Sequence, residues 1–180
     1  MRNLLFWLLV AATGAVYAAM ALWSLPYVAG ETGDLMPFDL RPLGYSPDDA
    51  RTFLGHLSAE GRAFYLTVQH RLDLAFPALL AATLVWTALR LPPSGWRAVR
   101  WVLIGAAVGG MVADYLENAA VAAMLSAAPD AVSAEQIVTA SRWTVLKSLG
   151  ATLAMSLGAV LLVRALAARM KTRQPMDRIS

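Results

Sequence analysis

Three stretches of this chain carry ionisable residues inside otherwise apolar runs. Gln69, His70, Arg71 and Asp73 precede Pro77; Asp114, Glu117 and Asn118 end a Gly/Ala-rich run; Arg142, Thr144, Lys147 and Ser148 open the last one. A charge in hydrocarbon is expensive, so each of these needs a partner or a task. Asp114, Glu117, Asn118 and Val121 follow the i, i+3, i+4, i+7 pattern and share one helix stripe. Thr144, Lys147, Ser148 and Ala151 form a second stripe; Gln69, Asp73 and Pro77 form a third. Lipid cannot solvate such stripes, so all three are expected to turn inward. The chemistry this suggests is proton transfer. Two carboxyls in one dry stripe do not both ionise freely, which makes one of Asp114 and Glu117 a candidate general acid, with Lys147 holding the other as an anion. Asp114, Glu117 and Lys147 are therefore the candidate catalytic group. Asp73, Asn118, Thr144, Arg71 and Arg142 are the candidate ligand-binding residues around it.

The depths of these residues can be compared from the arginines at the other end of each run. Arg90 to Asp73, Arg100 to Glu117 and Arg164 to Lys147 are each separated by 17 residues. At helical rise that is about 25 Å, within a hydrocarbon core of about 30 Å. Two carboxylates and one ammonium thus share a layer in one leaflet. Pro77 clashes with the carbonyl four residues earlier, that of Asp73, which should free that carbonyl for another partner. Below the layer, Gly105 and Gly109, and Gly150, Ala154 and Gly158, repeat at four-residue spacing and suit close helix contact. The expected shape is a tight seam in one half and an open polar pocket in the other.

Four uses of such a pocket stay open. Asp73, Asp114 and Glu117 balanced by Arg71, Arg142 and Lys147 would be a structural charge network. The same residues could bind or modify a lipid or other small amphiphile entering from the outer leaflet. His70, Asp73, Asp114 and Glu117 could hold a divalent cation, although the Lys147 ammonium would compete for the oxygens. Acid–lysine clusters also relay protons or bind solutes in transporters, for which four helices without repeats are few unless the chain forms an oligomer. No H-E-x-x-H, P-loop, dinucleotide, kinase or hydrolase fingerprint is present, and the sequence leaves the cofactor unknown.

The elements that must position these groups follow from composition. The 180 residues are 58% hydrophobic and 15% charged, with mean hydropathy +0.55, too apolar for a soluble domain. There is no Cys, which excludes disulfide scaffolds, thiol nucleophiles and Cys-ligated metals. Stretches at about 4–25, 71–89, 99–125 and 143–166 are long and apolar enough to span a bilayer, and must do so as helices. The expected fold is an all-α, four-transmembrane-helix bundle in a single membrane domain. Arg2, Arg90, Arg97, Arg100, Arg164, Arg169, Lys171, Arg173 and Arg178 lie at one end, with Asp177. The other end is acidic. The positive-inside rule then places both termini in the cytoplasm of a cell with an inner or plasma membrane, and the basic tail 167–180 on the anionic leaflet. The net charge of +3 is accordingly a topology signal rather than a sign of nucleic-acid binding, and membrane lipids are the expected partners. Residues 1–25 read as a retained helix rather than a cleaved signal, because the apolar run reaches Leu25 and Trp23 and Tyr27 suit an interface.

The outer loop, 26–62, is too long for a simple connector. Ser46-Pro47-Asp48-Asp49 predicts a capped helix start, with Leu54 and Leu57 facing the membrane surface. Ser58-Ala59-Glu60 predicts a second helix running unbroken into the second span. The segment from Met36 to Tyr45 reads as a lid over the outer mouth.

Asp73-Leu74-Ala75-Phe76-Pro77, Asp114-Tyr115-Leu116-Glu117-Asn118 and Thr144-Val145-Leu146-Lys147 together resemble a family of small four-span membrane proteins of unassigned function. Its elements are D-x-x-[FY]-P, D-x-x-E-N and T-x-x-K, after an outer-loop segment similar to Phe38-Asp39 and Gly44-Tyr45. The resemblance covers about residues 34 to 165. It implies that these residues belong together and carries over no activity.

Overall fold

The computed structural model describes residues 2–90 and 95–171 and is all-helical, with no strand among the described residues. The first span is α1 (Arg2–Ala19), a π-helical turn at Met20–Ser24, and α2 (Leu25–Gly30). It runs five residues beyond the expected end, continuing through Pro26, which lies just after the π-helical turn and leaves the carbonyl four residues earlier without its amide. Outside the spans, α3 covers Pro47–His56. The second span is α4 (Ala59–Phe64), a second π-helical turn at Tyr65–Gln69, and α5 (His70–Arg90). The third is α6 (Arg97–Ser126) and the fourth α7 (Ala134–Lys171). The four continuous helices Asn3–Gly30, Ala59–Arg90, Arg97–Ser126 and Ala134–Ala168 are each long and apolar enough to cross a membrane. The chain is therefore a multi-pass membrane protein of the four-span class. Residues 172–180 of the expected basic tail lie outside the described residues; its first part continues α7.

Local chemistry sets the helix starts at the end of the bundle that carries the loop 26–62, here termed outer, the arginine-rich end being termed inner. Ser46 caps α3 in a reciprocal box: its hydroxyl accepts from the Asp49 amide at 3.1 Å, and the Ser46 amide donates back to Asp49 at 3.1 Å. Asp49 lies below the ordinary carboxylate range because the Ser46 side chain, then the Ser46 backbone, donate to it. Ser58 caps α4 by accepting from the Gly61 amide at 2.9 Å, and the helix continues into the second span as its sequence predicts.

Packing is uneven. α6 packs along both α5 and α7, whereas α1 leans mainly on α5. Thr13 of α1 shares a hydrogen bond with Thr83 of α5 at 2.9 Å across that contact. In the outer half, Phe38, Ala50, Phe53, Leu54 and Leu57 from the loop join Tyr65, Val121, Met124, Leu125, Ile137 and Ala140 in a hydrophobic core. This corrects the expectation for Leu54 and Leu57, which are buried under the cap instead of facing the membrane surface. α3 is amphipathic, and the helix ends that project past the hydrocarbon offer it a closer apolar surface. Arg62 ties this cap to α6, donating to the C-terminal carbonyls of Leu125 at 2.6 Å and Ala127 at 3.3 Å and to Leu54 O at 3.1 Å.

In the inner half Leu84, Ala88, Leu103, Ala107, Ala154 and Leu161 form a second core. There the backbones of α6 and α7 touch: a methyl group on Gly150 would lie 2.7 Å from Gly110 Cα. Gly105 and Gly109, expected in this seam, are exposed with open space around them. The buried stripe of α6 runs through Leu103, Ala107, Gly110, Ala113 and Glu117. The face is set by the residues the polar layer needs inward, one position round from the G-x-x-x-G.

Candidate functional site

Between the two cores lies a polar layer centred on Lys147. Its ammonium contacts Glu117 Oε2, Asp39 Oδ1 at 3.3 Å and Asp114 Oδ1 at 3.4 Å. Glu117 is fully buried, and its other oxygen accepts from Thr144 Oγ1 at 2.7 Å. Thr144 also reaches its own helix at Ala140 O, 3.2 Å. Asp114, Glu117, Thr144 and Lys147 thus come together from α6 and α7, one turn apart on facing stripes.

Asp39 is the member that the sequence reading missed as a site residue. It sits in the short helical turn Phe38–Leu40 of the outer loop, and Tyr65 donates to its Oδ2 at 2.6 Å. The segment carrying it is braced internally. Arg41 donates to Met36 O at 2.9 and 2.6 Å, and its guanidinium lies 5.7–5.9 Å from the ring centres of Phe38, Tyr45 and Phe53. It docks on α7 where the Tyr45 amide donates to Ser141 Oγ at 2.8 Å. Gly44 permits this approach: its φ is +85°, and a Cβ there would meet Ser141 Oγ at 2.6 Å. Next to Thr144 and Glu117, the Tyr45 hydroxyl is buried without a well-aligned acceptor. Burial pushes it well above the ordinary tyrosine range, so it stays a neutral phenol.

Asp73 occupies the other side of the layer. It does not touch Lys147; it accepts from Gln69 Nε2 at 2.8 Å, and Gln69 in turn accepts from Ser24 Oγ at 2.5 Å. Ser24 and Gln69 close the two π-helical turns, whose wider ring turns these side chains toward each other. The carbonyl of Asp73, released by Pro77, accepts from Asn118 Nδ2 at 2.9 Å. Asp73, Asp39, Tyr65, His70 and Asn118 line one cavity of about 10 Å³. Asp114, Lys147, Pro77 and Gly110 line a second of about 20 Å³ on the inner side. Each has room for about one water. The open pocket expected from the sequence is thus closed, because the loop fills it with Asp39 and Tyr45.

Arg71 and Arg142, expected in the layer, are exposed on the outer surfaces of α5 and α7 and make none of its contacts. Arg71 is two residues from both Gln69 and Asp73, and Arg142 two from Thr144, which puts their side chains on the far face of each helix from the inward stripe. His70 is half-buried at the edge of the smaller cavity. Among the described residues, no three His, Asp or Glu side chains group so as to hold a metal ion; the Lys147 ammonium occupies the place between the acids.

The layer as a whole is formally four carboxylates (Asp39, Asp73, Asp114 and Glu117) against one ammonium. Compared with protein-family models, curated proteins and solved structures, the chain matches none.

Proposed function

We propose that this multi-pass membrane protein works through its Lys147 centre as a proton-binding site, with the outer loop as the element that senses its charge. The observation that carries this reading is the excess of carboxylates in a closed space. Four acids and one Lys147 would leave a net charge that a buried site cannot hold without compensation. The adjoining cavities, 10 and 20 Å³, admit protons and single waters and no head group. One of the acids, Asp39, belongs to the loop, so a change in proton occupancy acts directly on the cap. The arginines at the opposite end support an inner or plasma membrane location with both termini in the cytoplasm.

Infrared difference spectra across a pH step, on protein in phosphatidylcholine liposomes, test the reading. The carbonyl stretch of a protonated carboxyl is expected to respond to the step and to change in Asp114→Asn and Glu117→Gln. If no such band exists, or if both variants leave it untouched, the acids are a fixed structural network.

Binding or modification of an amphiphile is a second reading, favoured by one observation: among the described residues, the Lys147 ammonium is in contact with Asp39, carried by a loop segment and not by a span, which docks on α7 through Tyr45. Displacement of that segment would expose Asp114, Glu117 and Lys147 as the reacting group, with Asn118 and Thr144 beside them. The resemblance to the four-span family with D-x-x-E-N and T-x-x-K elements fits either reading.

A further inference from the structure

The end of the bundle opposite the acids has a charged surface of its own. α6 begins there with Trp96 as its cap, and the Arg100 amide bonds back to Trp96 O at 3.1 Å. Arg164, from the end of α7, lays its guanidinium over the Trp96 ring at 4.5 Å from the centroid. Arg100 follows Trp96 by one helical turn on the same face of α6, and Arg164 of α7 lies over the Trp96 ring, which is itself packed on the inner core. Arg100 is half-buried, and its Nε is buried without a hydrogen-bond partner among the described residues. A buried donor left unmade is costly, more so on a charged group. No acid can supply the bond: among the described residues, α5 has none after Asp73, α6 none before Asp114 and α7 none after Glu135. Around the pair, Trp101, Leu162, Val163 and Leu166 are exposed apolar side chains, suited to acyl chains.

We propose that Arg100 and Arg164, positioned by Trp96, form a head-group site for one anionic phospholipid of the leaflet at this end. Guanidinium groups bind phosphate with paired N–H donors; the Nη atoms of Arg100 make no hydrogen bond among the described residues and, unlike its covered Nε, are open to a head group. The ring of Trp96 orders Arg164 in advance, so less side-chain entropy is lost on binding. The apolar surround takes the lipid tails, which a free phosphate could not use. This site is independent of the Lys147 centre.

Native mass spectrometry on delipidated protein in an uncharged detergent tests the site, with phosphatidylglycerol and phosphatidylcholine of matched chains as probes. Phosphatidylglycerol is expected to be retained preferentially. Arg100→Gln with Arg164→Gln should abolish the preference, at about fivefold per arginine. Arg164→Gln alone, at an exposed position that does not threaten folding, should weaken it by about that factor. Arg97→Gln, next to Trp96 in the chain but exposed and not stacked on its ring, should leave most of it. Equal retention of the two lipids, or a preference surviving the double substitution, overturns the proposal. So does an Arg97→Gln loss as large as that of Arg164→Gln, which would mean diffuse surface charge, or displacement of the lipid by soluble glycerol phosphate at equal concentration.

Discussion

The outer and inner halves of this bundle are built from side chains of different size. The outer core uses Phe38, Phe53, Leu54, Met124, Leu125 and Ile137, all essentially buried. The inner core combines Leu84, Leu103 and Leu161 with Ala88, Ala107 and Ala154 and has no buried aromatic ring among the described residues, and it sets Gly110 against Gly150 where α6 and α7 cross. Interaxial distance follows side-chain volume. Small residues draw the inner backbones together; large ones in the outer half require space between helices, and the loop supplies part of the filling. Lys147 sits where one regime gives way to the other. The gradient in volume decides where a charged centre can be both buried and covered by a non-membrane segment. In the inner half dispersion contacts do the holding; in the outer half fixed charges and a capped helix join them.

Lys147→Met should have the largest effect, because it strands Asp39, Asp114 and Glu117 around an apolar group. Breaking a buried ion pair from one side costs about 3–5 kcal/mol. The comparison of halves predicts where the damage goes. Hydrogen exchange should rise in the loop from Met36 to Leu57 while the Gly110–Gly150 crossing keeps its protection. Adding Glu117→Gln should recover part of the loss in a thermal melt. Equal loosening of both halves would show that they are one cooperative unit.

Gly150→Ala probes the other half. A Cβ there falls 2.7 Å from Gly110 Cα and 3.1 Å from Ala106 O, backbone atoms that cannot swing aside. Overpacking of this kind costs about 1–3 kcal/mol. Gly109→Ala, which meets open space, should stay within about 0.5 kcal/mol of the parent. Thermal melts of the two in detergent separate the crossing from its sequence look-alike; similar melting of both variants would remove Gly110–Gly150 as the contact.

Much of the fold was legible because it rests on local rules. Length and hydropathy define the four spans, and the Ser46-Pro47 and Ser58 caps mark helix starts that hydrogen bonds then make. Spacing places Glu117 and Lys147 on inward stripes, and the clash at Pro77 points to the Asp73 carbonyl that Asn118 takes. What the sequence could not reveal depends on long-range docking. Asp39 reads as a solvent-side acid until the Gly44 turn seats its segment on Ser141. Arg71 and Arg142 share a height with the layer, but height alone does not fix helix rotation. The two π-helical turns shift phase by one residue each, which no periodicity in the sequence announces, and it is this shift that pairs Ser24 with Gln69. The G-x-x-x-G of Gly105 and Gly109 misled for the same reason: Glu117 and Ala113 set the rotation of α6, and Gly110 follows them.

The smallest expected effect concerns the cap alone and acid pH. Asp49 is held below its ordinary value by Ser46, so its folded state binds a proton less readily than its unfolded state. The stabilisation it gives α3 is fully present above the unfolded carboxyl value, about 3.9, and is lost as pH falls through the lowered folded value. Ser46→Ala removes the hydroxyl from the box and should cost about 1 kcal/mol at neutral pH. It should also flatten the acid dependence of α3, because the side-chain hydrogen bond that lowers Asp49 goes with it. The inner seam of Gly, Ala and Leu has nothing that titrates in that range. Amide exchange followed into acid should therefore show α3 opening first in the parent, with Ala107 and Ala154 unchanged. A seam that loosens at the same pH as α3 would mean that acid acts through the Lys147 centre on the whole bundle, and the independence of the two halves would fail.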